Sequence, residues 1–423
     1  MPPFNGTLLQ LPLEIRQHVR QLAASLHTFR LLSKNYEATT QRFKFTRRGS
    51  TPNLPALQRL ILKKDPSHYP TQYLFTFLDM GTVELGDRGL VQLCGILRHS
   101  NCNVTTLNLC GCNLSDIAPL RALTELNVIA LNANNLTDIA SLAGLVRLKK
   151  LYINGNQIVD VQHLQNLVHL TELYLHSNQI ADIAPLARLT KLVELNLGSN
   201  KIVDLTGLAP LVHLRDLHLA NNQIVSIASL GNLRQLRELH VGSNQLTDVT
   251  PLENLRELRS LRLGFNQITN IAPLHTLIHL ENLYLINNQV SDISSLQSLL
   301  QLKLLNVMNN RIVDITAVHT LVRLDKLFAI GNFIVHVDCL EPLTLLTELY
   351  LGNNQIVNID CLQHLVRLKV LGLNSTAIRS VAVLKTLVEL KVLHLFNSAY
   401  VTDLNVLKKC LVNCSVLSDE IGQ

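Results

Sequence analysis

The sequence predicts an α/β solenoid: a curved horseshoe with a parallel β-sheet on its concave face and 3-10 or short helices on its convex face. A small helical module precedes it and a helical cap closes its C-terminus. Three observations predict this. First, an asparagine returns every twenty-two residues, at Asn134, Asn156, Asn178, Asn200, Asn222, Asn244, Asn266, Asn288, Asn310, Asn332 and Asn354. Cys112 extends the register toward the N-terminus, and Thr376 and Ser398 extend it toward the C-terminus, giving fourteen turns. Self-similarity at such a period means that each turn packs only on its neighbours, generating a long curved surface. Second, apolar residues within each turn follow a fixed short spacing. Third, 47% of the chain is apolar but only 4% is aromatic, with no tryptophan, which suits an interior made of leucine.

The first unit is 1–48. Pro12 suits the first turn of a helix, and Ile15, Val19 and Leu22 then recur at helical spacing. Phe29, Leu32 and Tyr36 form a second apolar set after Leu26. Leu11, Pro12, Glu14 and Ile15 make an LP-x-E-I opening, and Arg30, Leu31, Leu32, Ser33 and Lys34 follow the pattern RL-V-S-K with Leu for Val. The stretch 11–43 thereby resembles an F-box, the helical module that docks on the Skp-type adaptor of a cullin–RING ubiquitin ligase. The resemblance implies adaptor contacts by Leu11, Pro12, Glu14, Ile15, Val19, Leu31 and Leu32. Two features depart from the family pattern: the stretch between the halves is short, and the acidic residue that commonly begins the second helix is missing. The other reading of the same residues is a helical cap shielding the first repeat, which a solenoid needs in any case.

Residues 49–77 form a linker and the approach to the solenoid. Its beginning, within the basic and Ser/Thr/Pro/Gly-rich stretch 44–56, places Ser50 after Arg47 and Arg48. That arrangement would suit a basic-directed kinase, although such runs are common by chance. The next unit, 78–106, carries Leu78, Met80, Leu85, Leu93 and Leu97 before the pattern resumes at Leu107, a turn of twenty-nine residues. It resembles the long repeat of ribonuclease-inhibitor-type proteins, which implies a full helix on the convex side.

The fourteen regular turns occupy 107–400. Around Asn156, Leu151-Tyr152-Ile153 alternates as a short strand, with Leu151 and Ile153 inward and Tyr152 outward. Ile158, Val161, Leu164, Leu167 and Leu170 follow at steps of two or three, as a 3-10 or short helical return leg requires. The asparagine sits where the chain leaves the strand and its backbone groups turn inward. Its amide supplies both a donor and an acceptor for its own loop and the adjacent turn. The pattern LxLxxNxI…DIxPLxxL, as in LYLHSNQIADIAPLARLTKL at 173–192, resembles the short leucine-rich repeats of bacterial internalins and of the regulatory subunit of protein phosphatase type 1. Segment 401–423 breaks register, and Leu404, Leu407 and Leu411 have the helical spacing of a C-terminal cap.

No apolar run is long enough to span a membrane, and the N-terminus lacks a basic-then-apolar leader. The eight cysteines show no metal spacing, although Cys339 and Cys361 share one repeat position, so free thiols in the cytoplasm or nucleus are expected. The net charge of +6 is unevenly placed. Residues 1–70 hold eleven Lys or Arg against three Asp or Glu, leaving 26 basic and 28 acidic residues of the total 37 and 31 for the rest. The solenoid's overall balance therefore offers no reason to expect nucleic acid as a partner.

Outward strand positions place Tyr152, Tyr174, Asn196, His218, His240, Arg262, Tyr284, Asn306, Phe328 and Tyr350 in one column, with Phe265 beside Arg262. The column before it carries Glu172, Glu194, Asp216 and Glu238 in consecutive turns. Tyrosine, histidine and arginine dominate binding hot spots, so this face, centred on 172–284, is the expected site for a protein partner. His218 and His240 could share a metal, but no carboxylate stands behind either imidazole. With no nucleophile motif, phosphate loop or paired-cysteine motif, neither an enzyme nor a cofactor is expected. The expected functions are a ligase substrate receptor, a phosphatase regulatory subunit, or a bare signalling or cytoskeletal scaffold, each a monomer on its own.

Overall fold

In the computed structural model the described residues are 42–44, 54, 77–99, 104–398 and 401–418. The F-box-like contacts Leu11, Pro12, Glu14, Ile15, Val19, Leu31 and Leu32, and Ser50 of the linker, lie outside them. A single sheet of seventeen strands runs through the described chain, and every pairing in it is parallel. It opens with β1 (Arg42–Lys44), β2 (Phe77–Asp79), β3 (Thr106–Asn108), β4 (Val128–Ala130), β5 (Lys150–Tyr152), β6 (Glu172–Tyr174), β7 (Glu194–Asn196) and β8 (Asp216–His218). It continues through β9 (Glu238–His240), β10 (Ser260–Arg262), β11 (Asn282–Tyr284), β12 (Leu304–Asn306), β13 (Lys326–Phe328), β14 (Glu348–Tyr350), β15 (Val370–Gly372), β16 (Val392–Leu395) and β17 (Ser415–Ser418). From β3 to β16 the register advances by twenty-two residues per strand, so Leu151 pairs with Leu173 and Leu173 with Leu195.

The sequence explains each part of a turn. The central strand leucines are buried and packed against the leucines of the return leg. Each chain reversal uses the residue before the ladder position in a left-handed conformation, as at Ser177, Ser199, Asn221 and Ser243. An Asx turn then starts the 3-10 leg: Asp182 Oδ1 accepts from Ala184 N–H at 2.8 Å, and Pro185 fixes a φ within its first turn.

The asparagine column bonds as its chemistry requires. Asn156 Oδ1 accepts from Leu136 N–H of the preceding turn at 3.0 Å. Its Nδ2 donates to Leu131 O of that turn and to Ile153 O of its own, both at 3.0 Å. The end members do less. Thr376 Oγ1 donates to Leu373 O at 2.8 Å, and Cys112 Sγ lies 3.0 Å from Met80 O.

Helix α1 (Gly86–His99) fills the convex side of the longer turn that follows β2. Asp87 fastens it to the first regular turn by accepting from Ser115 N–H at 2.8 Å and Asp116 N–H at 3.1 Å. At the other end α2 (Leu404–Cys410) covers the last turn with Leu404 and Leu407 buried. Asp403 accepts from Ser380 Oγ at 2.6 Å and Val381 N–H at 2.9 Å. Two strands lie outside the expected array. β17 extends the sheet past the helical cap, pairing Val392 with Ser415. β1 pairs with β2 and includes Arg42 and Phe43, the end of the stretch read from sequence as helical, and Lys44, read as linker. An open parallel edge offers unpaired backbone groups whatever the side chains, and RFK and SVLS carry no repeat signature. Among the described residues no helix is long and apolar enough to cross a membrane.

Asn244 gives the sharpest test of the ladder. It accepts from Ile224 N–H at 3.0 Å and donates to Leu219, Val241 and Gly242 carbonyls, each at 3.1 Å. Asn244→Ala leaves these groups without partners and is expected to lower stability by about 3 kcal/mol, against about 1 kcal/mol for Ser398→Ala at the end. Urea unfolding followed by circular dichroism measures both; equal losses would show that the ladder does not hold the array.

Candidate partner-binding face

The acidic and aromatic columns stand on the concave side, where diagonal neighbours on adjacent strands meet. Tyr152 donates to Glu172 Oε2 at 2.6 Å, and Lys150 Nζ lies 2.5 Å from Glu172 Oε1. Tyr174 repeats the move one turn on, donating to Glu194 Oε2 at 2.8 Å. The two tyrosine rings pack with centroids 5.2 Å apart, leaving Tyr152 only 9% exposed. Tyr152 therefore supports this end of the face and offers little surface to a partner. Burial, together with the neighbouring carboxylates, raises both phenols above their ordinary range.

At β7 the diagonal pattern stops. Asn196 replaces tyrosine and turns its Oδ1 to its own Gly198 N–H at 3.1 Å, so no phenol reaches Asp216. Among the described residues the carboxylates of Asp216 and Glu238 have neither a hydrogen bond nor an ion pair. Burial, and then Glu238 and Glu194, push Asp216 up to about 6; Arg237 and Arg215 only partly offset this. His218 and His240 stand edge to face with centroids 5.8 Å apart. Arg262 lies over the Tyr284 ring, 4.9 Å from its centroid. Beyond, Phe328 and Tyr350 stack at 5.2 Å, and Lys326 Nζ contacts Glu348 at 2.6 Å.

The face thus divides into a tyrosine pair, a central trough and a second aromatic stack. The trough has a volume of about 320 Å³ between Tyr174 and Arg262. Its floor was not anticipated from the sequence. One step beyond the aromatic column, Gly198, Ala220, Gly242 and Gly264 stand in consecutive turns between His176 and Ile286. A Cβ on Gly264 would lie 2.6 Å from Ile286 Cγ2, and one on Gly242 would lie 3.0 Å from Gly264 O. The signal was legible as four small residues at a twenty-two-residue step, but it lay in a third column. His176 closes the trough at one end. Burial, and then His218, bring it down to about 4, and among the described residues its Nδ1 has no hydrogen-bond partner. Among the described residues no group of three His, Cys, Asp or Glu is placed to hold a metal.

Phe265, three residues beyond Arg262 and not itself a lining residue of the trough, is 49% exposed. Its φ of 59° is left-handed, at a position filled elsewhere by Ser, Asn, Ala or Gly. A bulky side chain there costs about 1 kcal/mol.

Models of the family "Leucine Rich repeats (2 copies)" match 146–188, 168–210, 212–254 and 256–298, and "Leucine rich repeat" matches 102–158. An internalin (InlF) from Listeria monocytogenes is 34% identical, the match covering 73% of this chain and 93% of that one, with a TM-score of 0.70. The chain belongs to the leucine-rich repeat family. Two further solved structures share the fold. One, from Leptospira interrogans, is 24% identical with a TM-score of 0.75, over 81% of this chain and 89% of that one. The other is a plant peptide hormone receptor in complex with its peptide, 22% identical with a TM-score of 0.64, over 74% of this chain and 55% of that one. No curated protein matches the sequence. Leucine-rich repeat folds are typically non-catalytic scaffolds that bind protein partners.

Two substitutions test the trough's stored cost. Asp216 is raised from 3.8 to about 6, so its ionised form weakens the fold increasingly as pH rises through that window. Asp216→Asn should stabilise the leucine-rich repeat protein by about 1 kcal/mol at pH 7 after screening of this half-exposed group, and not at all at pH 3.5. Thermal melts at both pH values check this, and a pH-independent gain would refute it. Phe265→Asn should also stabilise by about 1 kcal/mol by relieving the left-handed strain, read as a raised urea midpoint at unchanged slope.

Proposed function

We propose that this protein is a non-catalytic scaffold that holds a protein partner on its concave face, the partner presenting lysine or arginine side chains to the trough. One observation carries the reading: among the described residues Glu194, Asp216 and Glu238 stand side by side without a cation partner. In the same column Glu172 is matched by Lys150 and Glu348 by Lys326, each one strand away. A carboxylate row of this kind, walled by Tyr174, His218, His240 and Arg262, suits basic side chains whose stems pack on the rings. Phe265 adds an apolar contact at the rim. Binding would weaken with salt, because the row is open to solvent.

The finer assignments rest on sequence. The twenty-two-residue step supports placing the array in the short leucine-rich repeat class. The match of 11–43 to the F-box pattern supports a substrate receptor of a cullin–RING ubiquitin ligase, with the trough selecting what is ubiquitinated. In that role the chain contributes position and no chemistry. Cys339 and Cys361, free thiols bonded to Ile315 O and Val337 O, support a reducing compartment, cytoplasm or nucleus.

Affinity purification with mass spectrometry tests both levels, using the full chain, a version lacking 1–48 whose folding is verified by circular dichroism, and the triple variant E194Q/D216N/E238Q. Skp-type adaptor and cullin should accompany the full chain and the triple variant and be lost on truncation. Partners retained by the truncation should fall about tenfold with the triple variant. A phosphatase held equally by full chain and truncation would replace the ligase reading. Partners indifferent to the triple variant would remove the trough from the function.

A further inference from the structure

The balanced charge of the solenoid conceals a segregated one. Leu-Arg-x-Leu-Arg occurs at 233–237 and again at 255–259, and Arg215 holds the corresponding final position one turn earlier. The backbone ladder stacks these positions directly: Arg237 N–H donates to Arg215 O and Arg259 N–H to Arg237 O, each at 2.8 Å. The guanidinium-bearing residues are thus about 5 Å apart along the rim where the chain enters β8, β9 and β10. Arg234 and Arg256 lie three residues earlier on the same flank. At their position other turns carry exposed Val168, Val212, Ile278, Leu300 and Val322.

All five arginines are exposed. Arg259 reaches Glu281 at 3.4 Å, but that carboxylate is held more closely by Lys303 at 2.7 Å. Among the described residues Arg215, Arg234, Arg237 and Arg256 have no ion pair or side-chain hydrogen bond. Like charges in such close order are unfavourable and bind anions readily.

What lies beside the row selects the anion's class. Arg215 is followed in sequence by Asp216 and Arg237 by Glu238, so a basic rail and an acidic rail run side by side across the same turns. A nucleic acid or an anionic membrane is negative throughout and would meet the acidic rail as well. A folded or extended protein segment can carry both signs at the required offset, which is how electrostatic complementarity fixes register.

We infer that the rim of 215–259 receives an acidic segment of the same protein partner whose basic side chains enter the trough. The inference rests on the reading of the trough as a partner site and adds the partner's second, negative rail. Two charged rails of opposite sign specify one orientation of the partner across the sheet, because reversing it sets like against like on both.

The test uses the full chain with two fluorescein-labelled peptides, hexaglutamate and hexalysine, at low salt. Compared with the parent are R215Q/R237Q/R256Q, E194Q/D216N/E238Q and the distant control K385Q/K391Q, all verified by circular dichroism. The rim variant should weaken hexaglutamate about tenfold and tighten hexalysine; the trough variant should do the reverse. Any background from the basic 1–70 segment is common to all four proteins. Loss of hexaglutamate equally in the control, or none in the rim variant, would overturn the inference while leaving the trough intact. Hexalysine indifferent to the trough variant would instead sink the underlying reading. A twelve-base-pair RNA duplex or phosphatidylserine vesicles binding through the same arginines more tightly than hexaglutamate would show that the rail serves a polyanion.

Discussion

Every other feature of this molecule depends on the side-chain amide that links one turn to the next. Asn178 holds Ile158 N–H and Ile153 O of the preceding turn, and Leu175 O of its own. Those are groups that a leucine interior would otherwise leave unpaired. Satisfying them by a residue at a fixed position locks the repeat length, and the repeat length locks which strand residues stand side by side. Surface columns exist only because that spacing never slips. At the ends, where Cys112, Thr376 and Ser398 replace asparagine, the ladder gives way to α1 and α2. There the carboxylates of Asp87 and Asp403 take over the joining of turns.

The regularity also explains how much of the fold could be read from one sequence. The inward leucines, the ladder and the return legs follow from alternation and period alone, since each turn sees nearly the same environment. Arg42–Lys44 and Ser415–Ser418 could not be read that way. Their pairing is set by an available sheet edge, which is a property of the neighbour and leaves no trace in their own side chains.

The binding face was legible to a different depth. Its columns follow from register, so Tyr174, His218, His240 and Arg262 could be placed together in advance. Which of them are available to a partner could not, because availability depends on diagonal contacts. Tyr152 looked equivalent to Tyr174, yet it is covered by the ring that follows it. Asn196 stood in the same column, yet it is the residue that leaves Asp216 without a phenol. Net charge misled for the same reason. A sum near zero over the solenoid is compatible with opposite rails one residue apart.

The case for the trough rests finally on where local rules are broken. Fourteen turns repeat one design, and a uniform design needs no compensation. Yet an exposed phenylalanine in a left-handed position and, among the described residues, a buried imidazole nitrogen without a partner and three adjacent carboxylates without a cation all fall between Glu172 and Phe265. None of the three helps the fold, and two have an available remedy used in another turn: serine or glycine at the reversal, a lysine one strand away. Costs that a repeat protein could remove by copying its neighbour persist only where something other than folding selects the residue. A cationic partner would relieve the carboxylates and cover the ring, so the terms that weaken the free scaffold are the ones that its complex would recover.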